Sequence, residues 1–341
     1  MHRFAEVDRT PPGRHEVGTP SRFDRPVPPE RVLVLGGTGF MGSEIARAFI
    51  AVGSAVTVMA RREPSAECAG LISGAEVVLG DVANADLLSA LVDRVDHVVY
   101  AVGSLLPMES NASPAVDAST TLPVLIALLE LLRVRPWVGV TQLSSGGTVY
   151  GNPARVPVPE DAPCDPITSY GIVKLAAEKY IGMYAALYGV AARILRVGNA
   201  YGALQSSGRS QGVVAAVLAA ARKGTPVRVF GDGLTVRDYI HVGDVAATTV
   251  ELAQRADGPR LVNVGTGIGR TILDVVNVVR SVSGAELTVE HVPDRGCDVR
   301  AVVLDVGALR SLLDWDPVSL EEGIQRTWRD LHPRRALIEV G

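Results

Sequence analysis

Cysteine is scarce in this 341-residue chain: Cys68, Cys164 and Cys297 stand far apart and no CxxC pair occurs. That spacing argues against a disulfide framework or a zinc cage and suits a reducing compartment, the cytoplasm. Neither sign of charge is in excess. Thirty-three basic residues stand against 37 acidic ones, a net charge of −4, so nothing is available to neutralise a run of phosphates and nucleic acid is not an expected partner. Long hydrophobic runs are missing too. The longest, Thr121 to Leu132, is interrupted by Glu130 and falls short of the roughly 20 apolar residues that cross a bilayer, so no membrane segment is expected. Aromatic residues make up only 5%, yet 47% hydrophobic and 21% charged residues remain ordinary for a globular chain, long enough for about two domains.

Residues 1–30 contain six prolines, five acidic and five basic side chains and no apolar core of a signal sequence. They read as a disordered N-terminal extension. From Arg31 short β-branched runs alternate with longer alanine- and leucine-rich ones, the rhythm of βαβ units and a parallel sheet. Strands are predicted at Val32–Leu35, Ala55–Met59, Glu76–Leu79, His97–Tyr100, Gly139–Leu143 and Ala192–Val197, each apolar enough to be covered on both faces. Helical spacing marks Gly42–Ala51, Ala85–Asp93, Ser119–Arg133 and Tyr170–Tyr188. The fold class is therefore α/β, a doubly wound parallel sheet of the Rossmann type over residues 31–198, with a segment near 240–267 returning to it. Residues 199–239 and 268–330, richer in glycine, read as a second, smaller α+β domain that closes over a ligand.

The first motif, Gly36-Gly37-Thr38-Gly39-Phe40-Met41-Gly42, follows a strand and opens a helix. Glycines at this spacing let the backbone turn sharply, approach a pyrophosphate and present it to a helix N-terminus; a purely structural turn is the alternative. About 20 residues on, a carboxylate would grip the ribose 2′-hydroxyl of NAD. Ala60 stands there instead, followed by Arg61 and Arg62, which suit the 2′-phosphate of NADP or are solvated surface charges. Asp81, beside Val82, is placed either to hold adenine or to cap a turn. Tyr170 and Lys174 share one helix face at i and i+4, so an ammonium beside the phenol would favour a phenolate base, helped by a positive nicotinamide ring. His97 and His241 read as packing residues.

Together with Leu143-Ser144-Ser145-Gly146-Gly147-Thr148-Val149-Tyr150-Gly151, these motifs resemble the extended short-chain dehydrogenase/reductases of the nucleotide-sugar epimerase and dehydratase group, and most closely its UDP-glucose 4-epimerase-like branch. The resemblance spans about residues 31–330. It implies NAD as cofactor, with NADP as the alternative raised by Ala60 and Arg61. It places Gly36, Gly39, Phe40, Met41, Gly42, Arg61, Asp81, Val82, Ala101, Tyr170 and Lys174 around the cofactor. Arg196 and Asn199, in an R-x-x-N-x-x-G-like turn, Arg237, and Arg295 and Asp298, in an R-P-G-D-like element, fall to the nucleotide-sugar substrate. Gly296 replaces that element's proline. Gly146 stands where the group has a catalytic serine or threonine, so either Ser145 or Thr148 takes that role or Tyr170 works alone.

Dehydratases resembling this chain carry an acid just before Val-Tyr-Gly, and Gly146-Gly147-Thr148 has none. The resemblance thus favours 4-epimerisation of a UDP-sugar through a transient 4-keto sugar. A 4,6-dehydratase or 4-keto reductase is the alternative, and a non-catalytic NAD(P)-binding regulator the alternative of another class. Gly146 and Gly147 are expected to open space beside the hexose, and Arg196 or Arg209 to reach a C6 carboxylate, with phosphate or backbone as the alternative partner of either arginine. UDP-glucuronate/galacturonate and UDP-glucose/galactose stand level on this reading, with an N-acetylhexosamine third. The helices at Ser119–Arg133 and Tyr170–Tyr188 are expected to pair across a two-fold axis in a homodimer.

Overall fold

The computed structural model describes residues 29–103, 105, 107–205, 212–294 and 299–332. The N-terminal extension, apart from its last two residues, lies outside these. So do Arg209, Arg295 and Asp298. The chain begins β1 (Arg31–Leu35), α1 (Phe40–Ala51), β2 (Ala55–Ala60), α2 (Ala66–Leu71), β3 (Glu76–Leu79), α3 (Ala85–Val92), β4 (His97–Tyr100), α4 (Pro107–Ala112), α5 (Pro114–Arg133), β5 (Gly139–Ser145), α6 (Ser169–Tyr188) and β6 (Ala192–Val197). It continues β7 (Asn199–Tyr201), α7 (Val213–Lys223), β8 (Val227–Phe230), β9 (Val236–His241), α8 (Val242–Ala253), β10 (Leu261–Val264), β11 (Gly269–Thr271), α9 (Ile272–Ser283), β12 (Val289–Val292), β13 (Ala301–Val302), α10 (Gly307–Leu312) and α11 (Leu320–Asp330).

Seven parallel strands in the order β10-β6-β5-β4-β1-β2-β3 form the doubly wound sheet. Alternation along β1 explains the two layers. Val32 and Val34 pack with Ile45 and Phe49 of α1 and Val245 of α8, whereas Leu33 and Leu35 pack with Leu88 of α3, Leu125 of α5 and Ile181 of α6. β3 departs from this pattern. At the sheet edge it leaves Val77 and Leu79 exposed, because no further described strand or helix covers them. α5 starts at Pro114, five residues before the predicted start, since proline is well tolerated in the first turn. It is 20 residues long and holds an 18-residue window with a mean hydropathy of 1.7, enough by length and composition to cross a membrane. Here Leu125, Leu128, Leu129 and Leu132 are buried in the layer beneath the sheet.

In the second half β10 joins the large sheet beside β6, pairing Leu261 to Val264 with Ile194 to Val197. β9 pairs in parallel with β7 and β13 and antiparallel with β11, while β8 and β12 form a separate parallel pair. A third core, including Val217, Leu218, Val275, Val279 and Ile324, joins α7, α9 and α11. The buried Asp238 carboxylate couples these parts. It accepts hydrogen bonds from the Thr266 amide (2.8 Å) and hydroxyl (2.7 Å), the Gly267 amide (3.1 Å) and the Leu304 amide (3.2 Å).

Candidate active site

Parallel strands end on one edge of a sheet, and the motif residues follow β1, β2, β4, β5 and β6 at that edge. The glycine turn after β1 is closed by the Gly36 amide donating to Met59 O (3.0 Å). Gly36 has φ +79°, and a Cβ there would come 2.8 Å from Ala101 O; a Cβ on Gly42 would come 2.3 Å from Gly36 O. Only glycines allow this close approach. Gly39 caps α1 without a side-chain hydrogen bond, so the first amides of α1 retain capacity for an anion. Phe40 and Met41 line the cavity described below. This cradle fits a dinucleotide pyrophosphate. At the end of β2 Ala60 is buried while Arg61 and Arg62 are exposed. The Asp81 carboxylate accepts the Ala83 amide (2.9 Å) in the turn that precedes α3, so it supports a turn, and Val82 packs against the layer beneath the sheet.

Tyr170 and Lys174 lie in the first turns of α6, whose N-terminus is capped by the Thr168 side chain accepting from the Gly171 amide. Lys174 Nζ donates to Leu143 O (3.1 Å) and stands 5.7 Å from the Tyr170 ring centroid. Burial lowers the lysine to about 8, against the opposing pull of the Asp117 and Glu178 carboxylates. Burial pushes the phenol up to about 12, the Ser145 hydroxyl within hydrogen-bonding reach draws it down, and Asp117 raises it. The Ser145 hydroxyl thus stands beside the phenol, while the ammonium is bonded to Leu143 O. Thr148 also lines the cavity, and its buried hydroxyl has no partner among the described residues.

Two expectations are corrected. A Cβ on Gly146 would come 2.7 Å from Leu304 Cδ1 and 3.0 Å from Arg196 O, and one on Gly147 would come 3.0 Å from Asn199 Oδ1. Gly146 opens no room for a sugar, because Leu304 fills the space there and that space points into the core, whereas Gly147 lines the cavity with the Asn199 side chain beside it. Arg196 likewise faces inward. Its guanidinium ion-pairs with Glu178 (2.7 Å), donates to Glu160 O (3.1 Å) and stacks 4.7 Å from the Tyr150 ring centroid. Although burial opposes it, Glu178 keeps the guanidinium firmly charged. Buried and fully engaged, Arg196 cannot reach a substrate carboxylate.

A cavity of about 780 Å³ runs between the sheet edge and the second half. Ser145, Thr148 and Tyr170 line it from the first half, together with Met108 and Asn111 of α4. Asn199, Gln205, Phe230, Tyr239 and Arg237 line it from the second, with Lys223 and Arg228. Arg237 Nη1 donates to Val236 O (2.9 Å). Among the described lining residues there is no aspartate or glutamate. Sequence reasoning missed Met108 and Asn111 because α4 has six residues, too few for an apolar period, and missed Gln205, Phe230 and Tyr239 because nothing in their spacing points at a site.

Residues 32–265 match the model of the NAD dependent epimerase/dehydratase family. The chain is 32% identical over 303 residues to a UDP-glucose 4-epimerase of Mycolicibacterium smegmatis, covering 87% of this chain and 97% of that protein. Its fold is similar to a UDP-glucose 4-epimerase of Thermotoga maritima solved with UDP-glucose, with a TM-score of 0.82, 31% identity and coverage of 88% and 98%. It is also similar to a UDP-glucose 4-epimerase of Thermus thermophilus in complex with NAD, with a TM-score of 0.81, 31% identity and coverage of 89% and 100%. The Gly-rich turn lies at the sheet edge, with Lys174 buried and Tyr170 partly exposed on the cavity. The chain belongs to the NAD dependent epimerase/dehydratase family.

Proposed function

We propose that this protein is an NAD-dependent UDP-sugar 4-epimerase acting on the neutral pair UDP-glucose/UDP-galactose. The observation that carries the reading is a cavity that Tyr170 and Ser145 both line, with no carboxylate among its described lining residues. Dehydration needs a second acid–base group to move a carbon-bound proton, whereas epimerisation needs one group that takes and returns the C4 hydroxyl proton. In this reading Gly36, Gly39, Phe40, Met41 and Gly42 hold the pyrophosphate side of NAD, Ala101 and Val82 flank it, and Lys174 and Tyr170 reach the ribose next to the nicotinamide. Bound NAD supplies the hydride acceptor and donor for C4. Ser145 orients the hydroxyl, and Tyr170 removes its proton as the 4-keto sugar forms, then gives it back after the sugar has turned over. Residues 199–239 and 268–330 hold the nucleotide sugar, with Asn199 and Arg237 on the diphosphate.

The neutral pair is taken ahead of a uronate because, of the two arginines expected at a C6 carboxylate, Arg196 is committed to Glu178 and Arg209 lies outside the described residues. Residues Thr120, Pro123, Ala127 and Val134 of α5 and the turn after it, and Ile172, Tyr180, Met183 and Leu187 of α6, are exposed at helical spacing, which supports a homodimer through these helices. Incubating the purified protein with each UDP-sugar and no added cofactor tests the function. Conversion of UDP-glucose to UDP-galactose is expected, with a loss of about 100-fold or more in Tyr170→Phe. No conversion, or near-normal conversion by that variant, overturns the reading.

A further inference from the structure

We infer that Asn111, on α4, is a positioning residue for Tyr170: its carboxamide clamps the start of α6 from another element and so fixes where the phenol stands in the cavity. The inference rests on Tyr170 being the base. Ser169 is the first residue of α6, so its amide is one of the four that a helix leaves without an internal partner. Asn111 Oδ1 accepts that amide at 2.9 Å, from 58 residues away in the chain. Two residues further on, the Gly171 amide is held by the Thr168 hydroxyl (3.2 Å). Tyr170 lies between the two amides so fixed.

The clamp is itself anchored. Ser110, the neighbour of Asn111, is fully buried, and its hydroxyl donates to the Asp117 carboxylate of α5, which also accepts the Leu105 amide (3.3 Å). The short helix α4 is thereby held to α5 at one residue and to α6 at the next. Asn111 lines the cavity together with Ser145, Thr148 and Tyr170. Its bond to Ser169 also settles how the carboxamide is turned, because a backbone N–H can be met only by the oxygen. The Nδ2 hydrogens then face away from Ser169 and have no partner among the described residues. The side chain thus has two separable halves, an acceptor committed to the helix and a donor open to the cavity, and the acceptor carries the inference. Proton transfer needs the phenol within hydrogen-bonding reach of the sugar hydroxyl, and a misplacement of about 1 Å costs up to about 100-fold in rate.

The test is kcat and KM for UDP-glucose in variants that break the bond from either side. Asn111→Ala removes the acceptor. Ser169→Pro removes the N–H at the first helical position, where proline is well accommodated, and Thr168, with φ −127° and ψ 149°, already has the extended backbone that a following proline requires. Each is expected to lower kcat by about 10-fold with little change in KM, and the double variant is expected to fall no further than either single one. Asn111→Asp keeps an acceptor and loses the donor, and is expected to bring kcat back to within about 3-fold of the wild type. An unchanged kcat in either single variant, or losses that multiply in the double one, overturns the inference. So does an equal loss in Asn111→Asp and Asn111→Ala, which would make the donor the working half. A wild type inactive on UDP-glucose, or an active Tyr170→Phe, would instead overturn the functional reading.

Discussion

Leu304 occupies the place a side chain at residue 146 would take: a Cβ added to Gly146 would lie 2.7 Å and 2.9 Å from the two Leu304 methyl carbons. Leu304 is itself fully buried and its amide donates to Asp238, so it cannot step aside without disturbing the coupling between the two halves. Gly146→Ser, which restores the residue usual in the resembling group, is therefore expected to destabilise by about 1–3 kcal/mol without raising activity. Urea denaturation and kcat measured on the same preparation check this. Gly146→Ser with Leu304→Ala should regain part of the stability.

Ser145 is expected to matter more than Thr148. Its hydroxyl lowers the proton affinity of Tyr170, so Ser145→Ala should reduce kcat by about 100-fold and move the acid limb of the pH profile upward. Thr148→Ala should leave that limb in place. Equal limbs in the two variants would contradict the role given to Ser145.

Glu178 and Arg196 form a buried pair, and removing one charge strands the other. Glu178→Gln is expected to cost about 3–5 kcal/mol of folding stability. Arg196→Ala should likewise destabilise while leaving the ratio of kcat/KM for UDP-glucose over UDP-glucuronate unchanged. A ratio that shifts by ~10-fold would return Arg196 to the sugar.

His97 is buried beside Thr141 Oγ1 (2.9 Å), and burial, with Arg193 nearby, lowers it to about 4. The unfolded chain then binds more protons than the native one between pH 6.5 and 4, so stability falls as pH drops through that window by about 1.4 kcal/mol per unit for each such group. His241, also lowered to about 4, chiefly by burial, adds to this, while Asp244, raised to about 6 by burial, acts oppositely. The decisive quantity is the difference between wild type and His97→Gln. The variant's urea midpoint should depend less steeply on pH across the same window, and parallel profiles would refute the assignment.

The dinucleotide released on denaturation is expected to be NAD. Arg61 and Arg62 at the end of β2 are exposed, and calorimetry on protein freed of cofactor should give tighter binding of NAD than of NADP. Arg61→Ala should weaken NADP alone. Tighter NADP binding, lost in that variant, would give the arginines the 2′-phosphate.

The architecture was readable along the chain because periodicity is a local property. Val32 to Leu35 is buried on both faces and could only be an interior strand, and Gly36 and Gly42 carry the turn's requirement in their missing Cβ atoms. α4 and its Asn111 were not readable, since one and a half turns of helix leave no period. Nor was the direction in which a residue points beyond its strand. Arg196 and Gly146 both look like site residues by their neighbours in sequence.

The sequence by itself determined the doubly wound sheet, the glycine cradle and the Tyr170/Lys174 pair, because each depends on residues a few positions apart on one element. Only the tertiary structure decided which charges meet. Glu178 holds Arg196 in the core, and Leu304 fills the space at Gly146. These partners come from segments tens to more than a hundred residues apart or from separate helices, and in a low-dielectric interior the nearest opposite charge outweighs the motif in which a residue is written.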